Sequence, residues 1–134
     1  MAEQLTTDPA TLEFATTESM EMVRAVARSF AEKEIRPVVM KYDESQEFPL
    51  EIIKQLGALG FLGVIFPETY GGAGFGYLEY ITIIEEISKV DPSIGLSIAA
   101  HNSLCSNHIY TFGSEEQRRN YLPDLTTGRK IGAW

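Results

Sequence analysis

The chain has 134 residues, 44% hydrophobic and 22% charged, with 19 acidic side chains against 11 Lys and Arg for a formal net charge of −8. That length fits one domain with a real apolar core, and the composition is that of a globular chain. The negative charge disfavours nucleic acid and anionic membranes as partners, and no apolar run approaches the roughly 20 residues that span a bilayer.

In chain order, residues 1–16 are polar and small and contain Pro9, which predicts a poorly ordered N-terminal segment ahead of a folded domain over 17–134. Thr17 or Ser19 can cap a first helix, in which Val23, Val26, Ala27, Phe30 and Ala31 recur at helical spacing. Pro37 disfavours helical geometry at Arg36, so the helix breaks there, and Pro37 itself can open a second helix through about Asp43. Pro49 suits the first turn of a third helix carrying Ile52, Ile53 and Leu56, with Gly57 and Gly60 marking its end. The apolar run from Phe61 to Phe66 fits a buried extended segment, but periodicity alone does not decide its form.

Pro67 to Gly76 reads as a glycine-rich loop. Tyr77, Tyr80, Ile81, Ile84 and Ile87 mark an amphipathic helix that Asp91-Pro92 stops. Ser93 to about Phe112 reads as one long, mostly apolar and therefore central helix, ending at Gly113. Ser114 and Gln117 form a capping-box pattern for a short last helix through Tyr121 and Leu122. Thr126-Thr127-Gly128 reads as a turn, and Ile131 to Trp134 as the start of an extended segment. The sum is an all-α bundle of about five to six helices.

No self-contained active site follows from the residues. Gly72-x-Gly74-x-Gly76 has the wrong spacing for a dinucleotide fingerprint, and no Lys-Ser/Thr pair follows it, so the loop reads as a structural turn. His101, Cys105 and His108 share a helix face, yet nothing else in the chain completes a ligand set, so no metal is predicted. Glu85 and Glu86 are adjacent and point about 100° apart on a helix, which excludes a facing carboxylate pair and suggests solvated or capping roles. The single cysteine, Cys105, cannot form an internal disulfide, and the N-terminus has neither a secretory nor a mitochondrial pattern. A cytoplasmic protein is predicted.

Several strings in shared order resemble the acyl-CoA dehydrogenase family over about residues 20–134. They include Glu47-Phe48-Pro49, Leu59-Gly60-Phe61-Leu62-Gly63, the loop from Pro67-Glu68 to Gly74, Glu85-Glu86-Ile87-Ser88, His101-Asn102-Ser103-Leu104 and Ile131-Gly132-Ala133-Trp134. The resemblance implies the helical N-terminal domain of a three-part enzyme, without its middle β-domain and C-terminal helical domain. It implies FAD, an acyl-CoA substrate oxidised to the trans-2-enoyl-CoA, electron transfer flavoprotein as acceptor, and a homotetramer or dimer. The family's base is a glutamate of the C-terminal part, so no catalytic residue is assigned in this chain, which alone is not expected to catalyse. By the same resemblance Trp134 contacts the flavin ring, and Ser97, Ala100 and Leu104, spaced three and four apart, match positions lining the acyl cavity. An acyl-CoA oxidase or flavin monooxygenase on the same fold is the alternative reading, and a non-catalytic helical binding module is another.

Overall fold

A computed structural model of the chain describes residues 15–133. Among these the backbone is helix and turn, with no strand, in line with the all-α expectation. The predicted disorder of the N-terminal segment falls, through residue 14, outside the described residues.

α1 (Glu18–Phe30) starts on Thr17, whose hydroxyl accepts the Met20 amide at 3.2 Å. Ser19, the other candidate cap, instead donates to Glu79 Oε1 at 2.5 Å. The helix runs on into a π-helical turn, Ala31–Ile35. Val23, Ala27, Ala31 and Ile35 are buried at intervals of four, whereas Val26 is exposed and Phe30 half-buried, so the apolar stripe is narrower than predicted.

The second helix does not open at Pro37. The amides of Arg36 and Val38 donate back to Ala31 O (2.9 Å) and Ile35 O (3.0 Å), which closes the first helix through the proline. α2 (Val39–Ser45) begins beyond that turn and ends on Gln46 in the left-handed region at φ 59°. α3 (Leu50–Ala58) follows Pro49 and buries Ile52, Ile53 and Leu56 as the spacing predicts. Gly57 lies inside it, and Gly60, at φ 80°, is the residue that lets the chain turn away.

Phe61 to Phe66 resolves as consecutive turns, with the Gly63 amide donating to Gly60 O (3.1 Å) and the Phe66 amide to Gly63 O (3.3 Å). Those turns drive Phe61, Leu62, Val64 and Phe66 into the interior.

α4 (Tyr77–Ser88) packs against α1 and against α5 (Pro92–Ala99). Its buried face is Tyr80, Ile83 and Ile87, while Tyr77 and Ile81 are more than half exposed. The predicted stripe therefore named the rim of the face as well as its centre. α5 continues through a π-helical segment, Ala100–Ser106, into α6 (Asn107–Phe112). The three form the single long rod expected from the sequence, but only one side of it is central. Ile94, Ile98, His101 and Asn102 are buried, whereas Leu96 and Phe112 are 69% and 80% exposed.

α7 (Glu115–Thr126) opens with the predicted capping box: Ser114 Oγ accepts the Gln117 amide (3.2 Å) and Gln117 Oε1 accepts the Ser114 amide (2.8 Å). It runs past Leu122 and carries Pro123 inside its last turn, with Leu122, Leu125 and Thr126 buried. The Thr126 hydroxyl donates to Tyr70 O at 2.6 Å, which anchors that last turn to the glycine loop. Counting the long rod once, the described residues form six helical rods; α1, α3, α4 and the long rod build the main apolar cluster, Tyr42 of α2 packs against it, and α7 buries Leu122 and Leu125 outside it.

Candidate functional site

The long rod carries most of the residues singled out from the sequence. Its start is fixed by Asp91, whose Oδ1 accepts the amides of Ser93 (2.8 Å) and Ile94 (3.3 Å) and the Ser93 hydroxyl (2.6 Å). Pro92 suits the first helical position because it has no amide to leave unsatisfied there. The π segment sits where the rod is tied to its neighbours. Asn102 Nδ2 donates to Phe61 O (3.0 Å) and to Ile98 O (3.1 Å). The Tyr80 hydroxyl lies 3.3 Å from Ala99 O and 2.8 Å from Ser103 Oγ. Such side-chain bonds offset the poorer backbone geometry of a π turn.

Ser97 is half-buried, and its hydroxyl donates to Ser93 O at 2.9 Å. It lines a groove of about 730 Å³ together with Val39, Tyr42, Phe48, Pro49 and Asp91. Ala100 is half-buried and Leu104 is 45% exposed, and neither lines that groove. A π turn closes i→i+5 bonds instead of i→i+4, so Leu104 swings round relative to Ser97 compared with an ideal α-helical face. Ala100 and Leu104 follow the exposed Leu96 at intervals of four, whereas Ser97, three residues after the buried Ile94, stands at the edge of the core-facing side, so the three are not brought into one groove. Trp134, the residue assigned to flavin contact, lies outside the described residues.

His101 is buried and both ring nitrogens are engaged. Nδ1 accepts the Gly132 amide at 2.9 Å and Nε2 faces Leu125 O at 3.0 Å. An amide can only donate and a carbonyl only accept, so one neutral tautomer, protonated on Nε2, satisfies both. Burial pushes its pKa below the usual histidine value, against the opposing pull of the Leu125 and Leu62 carbonyls. With its lone pair already used, His101 has nothing to offer a metal. Among the described residues no group of three or more His, Cys, Asp or Glu side chains is arranged to hold one.

The glycine loop uses its own amides. Those of Gly71, Gly72, Ala73, Gly74 and Phe75 donate to the carbonyls of Glu68, Pro67, Gly63, Phe66 and Val64, at 2.8 to 3.1 Å. The Gly76 amide donates to Glu79 Oε2 at 3.1 Å. A phosphate cradle needs such groups pointing outward, so this loop is a structural turn. Gly72 is there for lack of space: a Cβ on it would fall 2.0 Å from Phe66 O.

Glu86 corrects the expectation of a solvated role. Its side chain is 1% exposed and accepts from Arg28 Nε (2.9 Å), Arg24 Nη1 (3.0 Å) and Lys89 Nζ (2.7 Å). The Arg28 hydrogen bond is the chief cause that lowers its pKa to about 2, with burial opposing it. Glu85, half-exposed, remains at the rim, 3.1 Å from Lys89. No feature of the sequence marks Glu86 apart from its neighbour; the only hint is Arg24 and Arg28 at a spacing of four on α1, which puts both on one face.

Comparison with known proteins gives a consistent result. The model of the acyl-CoA dehydrogenase N-terminal domain family matches residues 17–129. The chain is 43% identical over 123 residues to the short-chain specific acyl-CoA dehydrogenase of Clostridium acetobutylicum, covering 92% of this chain and 32% of that protein. Its fold is similar to a chain in a structure of the electron transferring flavoprotein of Acidaminococcus fermentans (40% identity, TM-score 0.87) and to butyryl-CoA dehydrogenase from Megasphaera elsdenii (35% identity, TM-score 0.85). Each of those similarities covers 90% of this chain and 32% of the other. The chain thus spans about a third of the length of the relatives it matches. No helix of the described residues is long and apolar enough to cross a membrane.

Proposed function

The chain belongs to the acyl-CoA dehydrogenase family, as its N-terminal helical domain, and on that premise we propose that it is part of a flavin-dependent enzyme that oxidises an acyl-CoA thioester to the 2-enoyl-CoA. The observation that carries this reading is the two-sided long rod. One side is locked into the core through Ile94, Ile98 and Asn102, and the other leaves Leu96, Ala100 and Leu104 uncharged and partly open, with Ser97 half-buried at its edge. The Ser97 hydroxyl is already used on Ser93 O. Such a wall of small and aliphatic groups suits an acyl chain, whose burial is driven by loss of apolar surface to water.

The residues at the end of the chain also suit a flavin. Gly132 and Ala133 are small and uncharged, and the Gly132 amide is fastened to the rod at 2.9 Å from His101 Nδ1. In this reading Trp134, the next residue, contacts the flavin ring. When bound, FAD supplies the acceptor for the hydride that leaves the substrate β-carbon. This domain's own part is to bind and orient: Ser97, Ala100 and Leu104 line the acyl site and exclude water from it. The proton-abstracting base belongs to another part of the enzyme, so no residue of this chain is assigned to the chemistry. Electron transfer flavoprotein as acceptor, a homo-oligomeric enzyme and a cytoplasmic location complete the proposal.

Expressed from the complete reading frame, the protein should hold FAD, convert a saturated acyl-CoA to its 2-enoyl product with electron transfer flavoprotein, and reoxidise slowly in air. Rapid reoxidation by oxygen would move the assignment to an oxidase or monooxygenase. Failure to take up FAD would overturn the flavin assignment in favour of a binding module.

A further inference from the structure

The π segment brings two side chains to one place for which the helical core has no need. His101 uses Nε2 to donate to Leu125 O on α7 and Nδ1 to accept from the Gly132 amide. Cys105, half-buried, packs directly on Gly132: a Cβ there would fall 2.5 Å from Cys105 Sγ and 2.7 Å from its Cβ. The Ala133 amide also neighbours the thiol. Residues 131–133 have no helix or strand of their own to hold them. Upstream, the Lys130 amide donates to Asp124 O (2.9 Å), and beyond that Gly132 is where the chain meets the rod.

We propose that His101 and Cys105 form a two-point latch that fixes the register of residues 131–133, the stretch by which the chain approaches the flavin. The flavin half of this statement rests on the function proposed above. The hydrogen bond fixes the position of one backbone amide, and the Cys105 contact admits only glycine at that point, so the chain cannot slip by a residue without forcing a side chain onto sulfur. His101 is the positioning residue because its ring is itself held from the far side by Leu125 O. The latch ties the exit of α7 to the wall residues Ala100 and Leu104, which are carried on the same π segment as His101 and Cys105. The acyl wall and the approach to the flavin therefore share one rigid element, and a shift in one moves the other.

Two substitutions separate the functions of the two nitrogens. In His101→Asn the side-chain oxygen stands near the place of Nδ1 and keeps an acceptor for Gly132. In His101→Gln the amide nitrogen stands near the place of Nε2, keeping the donor to Leu125 O and losing the acceptor. Amide hydrogen exchange at Gly132, read by NMR on this chain, should quicken about tenfold in His101→Gln and stay near the parent rate in His101→Asn, since one hydrogen bond is at stake. The parent should also show a scalar coupling between the Gly132 nitrogen and His101 Nδ1. Gly132→Ala, which leaves the helical core untouched, should quicken exchange at its neighbour Ala133 to a similar extent. Equal exchange in the two His101 variants, or no coupling in the parent, would overturn the latch.

The flavin half is read on protein from the complete reading frame. His101→Gln should lose FAD on gel filtration and shift the flavin absorbance bands, and His101→Asn should do neither. A latch intact by NMR with unaltered flavin spectra in His101→Gln would overturn the positioning role. A parent protein that takes up no FAD would overturn the function proposed above, while the Gly132 exchange still decides the latch.

Discussion

Replacing Glu86 by Gln removes the buried carboxylate that Arg24, Arg28 and Lys89 share between α1 and α4. The substitution keeps the volume and much of the hydrogen-bonding capacity, so the charge is what changes. A carboxyl with an ordinary value of 4.5 that falls to about 2 in the fold binds its proton far more weakly there than in the unfolded chain. At 1.36 kcal/mol per tenfold, that difference is about 3 kcal/mol of stability near neutral pH. Arg28 and Lys89 are 59% and 50% exposed, so screening by solvent reduces the expected loss in Glu86→Gln to about 2 kcal/mol. The corresponding fall in melting temperature is roughly 6–12 °C for a domain of this size. The sign with pH follows from the depressed folded value. The contribution is complete above pH 4.5 and is lost as pH falls from there towards 2, so the gap between parent and variant narrows with acid. Urea unfolding of both proteins at pH 7 and pH 3 reads it, with Glu85→Gln as the exposed control, expected within about 0.5 kcal/mol of the parent. A Glu86→Gln midpoint equal to the parent's at pH 7, or a gap that widens on acidification, would show that the buried charge does not stabilise the fold.

Gly72→Ala drives a methyl group onto Phe66 O, a backbone atom already bonded to the Gly74 amide, and should cost about 3 kcal/mol or more in urea unfolding; a loss under about 1 kcal/mol would mean that the loop can yield. Ser114→Ala removes one half of the α7 capping box and should cost about 1 kcal/mol, seen as a matching drop in the unfolding midpoint with an unchanged slope. Ala100→Leu narrows the proposed acyl wall. In the complete enzyme it should lower kcat/KM for the longest accepted acyl-CoA at least about tenfold more than for the shortest, and a uniform loss across chain lengths would remove Ala100 from the wall.

The helices were legible because their signals are local. Pro49, Asp91-Pro92 and the Ser114–Gln117 pair act within one turn: the capping box stands as predicted, Pro49 is the cap just ahead of its helix, and Asp91-Pro92 opens α5 where the sequence reading has it stopping α4, which ends at Ser88. Pro37 misled because its preference for a first turn competes with two backbone bonds that extend the preceding helix, and those bonds depend on the π turn before it. The π segments themselves have no periodic signature. The second one sits among bonds from Asn102 to Phe61 O and from Tyr80 to Ser103, which join residues 41 and 23 positions apart. Glu86 was invisible for the same reason, since its arginines lie 62 and 58 residues away and nothing local distinguishes it from Glu85. In the residue pattern His101 stands out only as a metal candidate. Its real partners, Leu125 O and the Gly132 amide, are backbone groups whose identity no side-chain pattern encodes. Ser97, Ala100 and Leu104 came from family resemblance, and residue spacing alone would have left them as ordinary positions on an apolar helix.

We propose that this domain serves a flavin enzyme acting on acyl-CoA. The most direct test is anaerobic titration of protein from the complete reading frame with acyl-CoAs of increasing chain length, followed through the flavin absorbance. The expected result is a yellow protein whose visible band bleaches with at least one saturated acyl-CoA and recovers on adding electron transfer flavoprotein. A protein that binds FAD but keeps its full absorbance with every acyl-CoA, or one that binds no FAD, would contradict it.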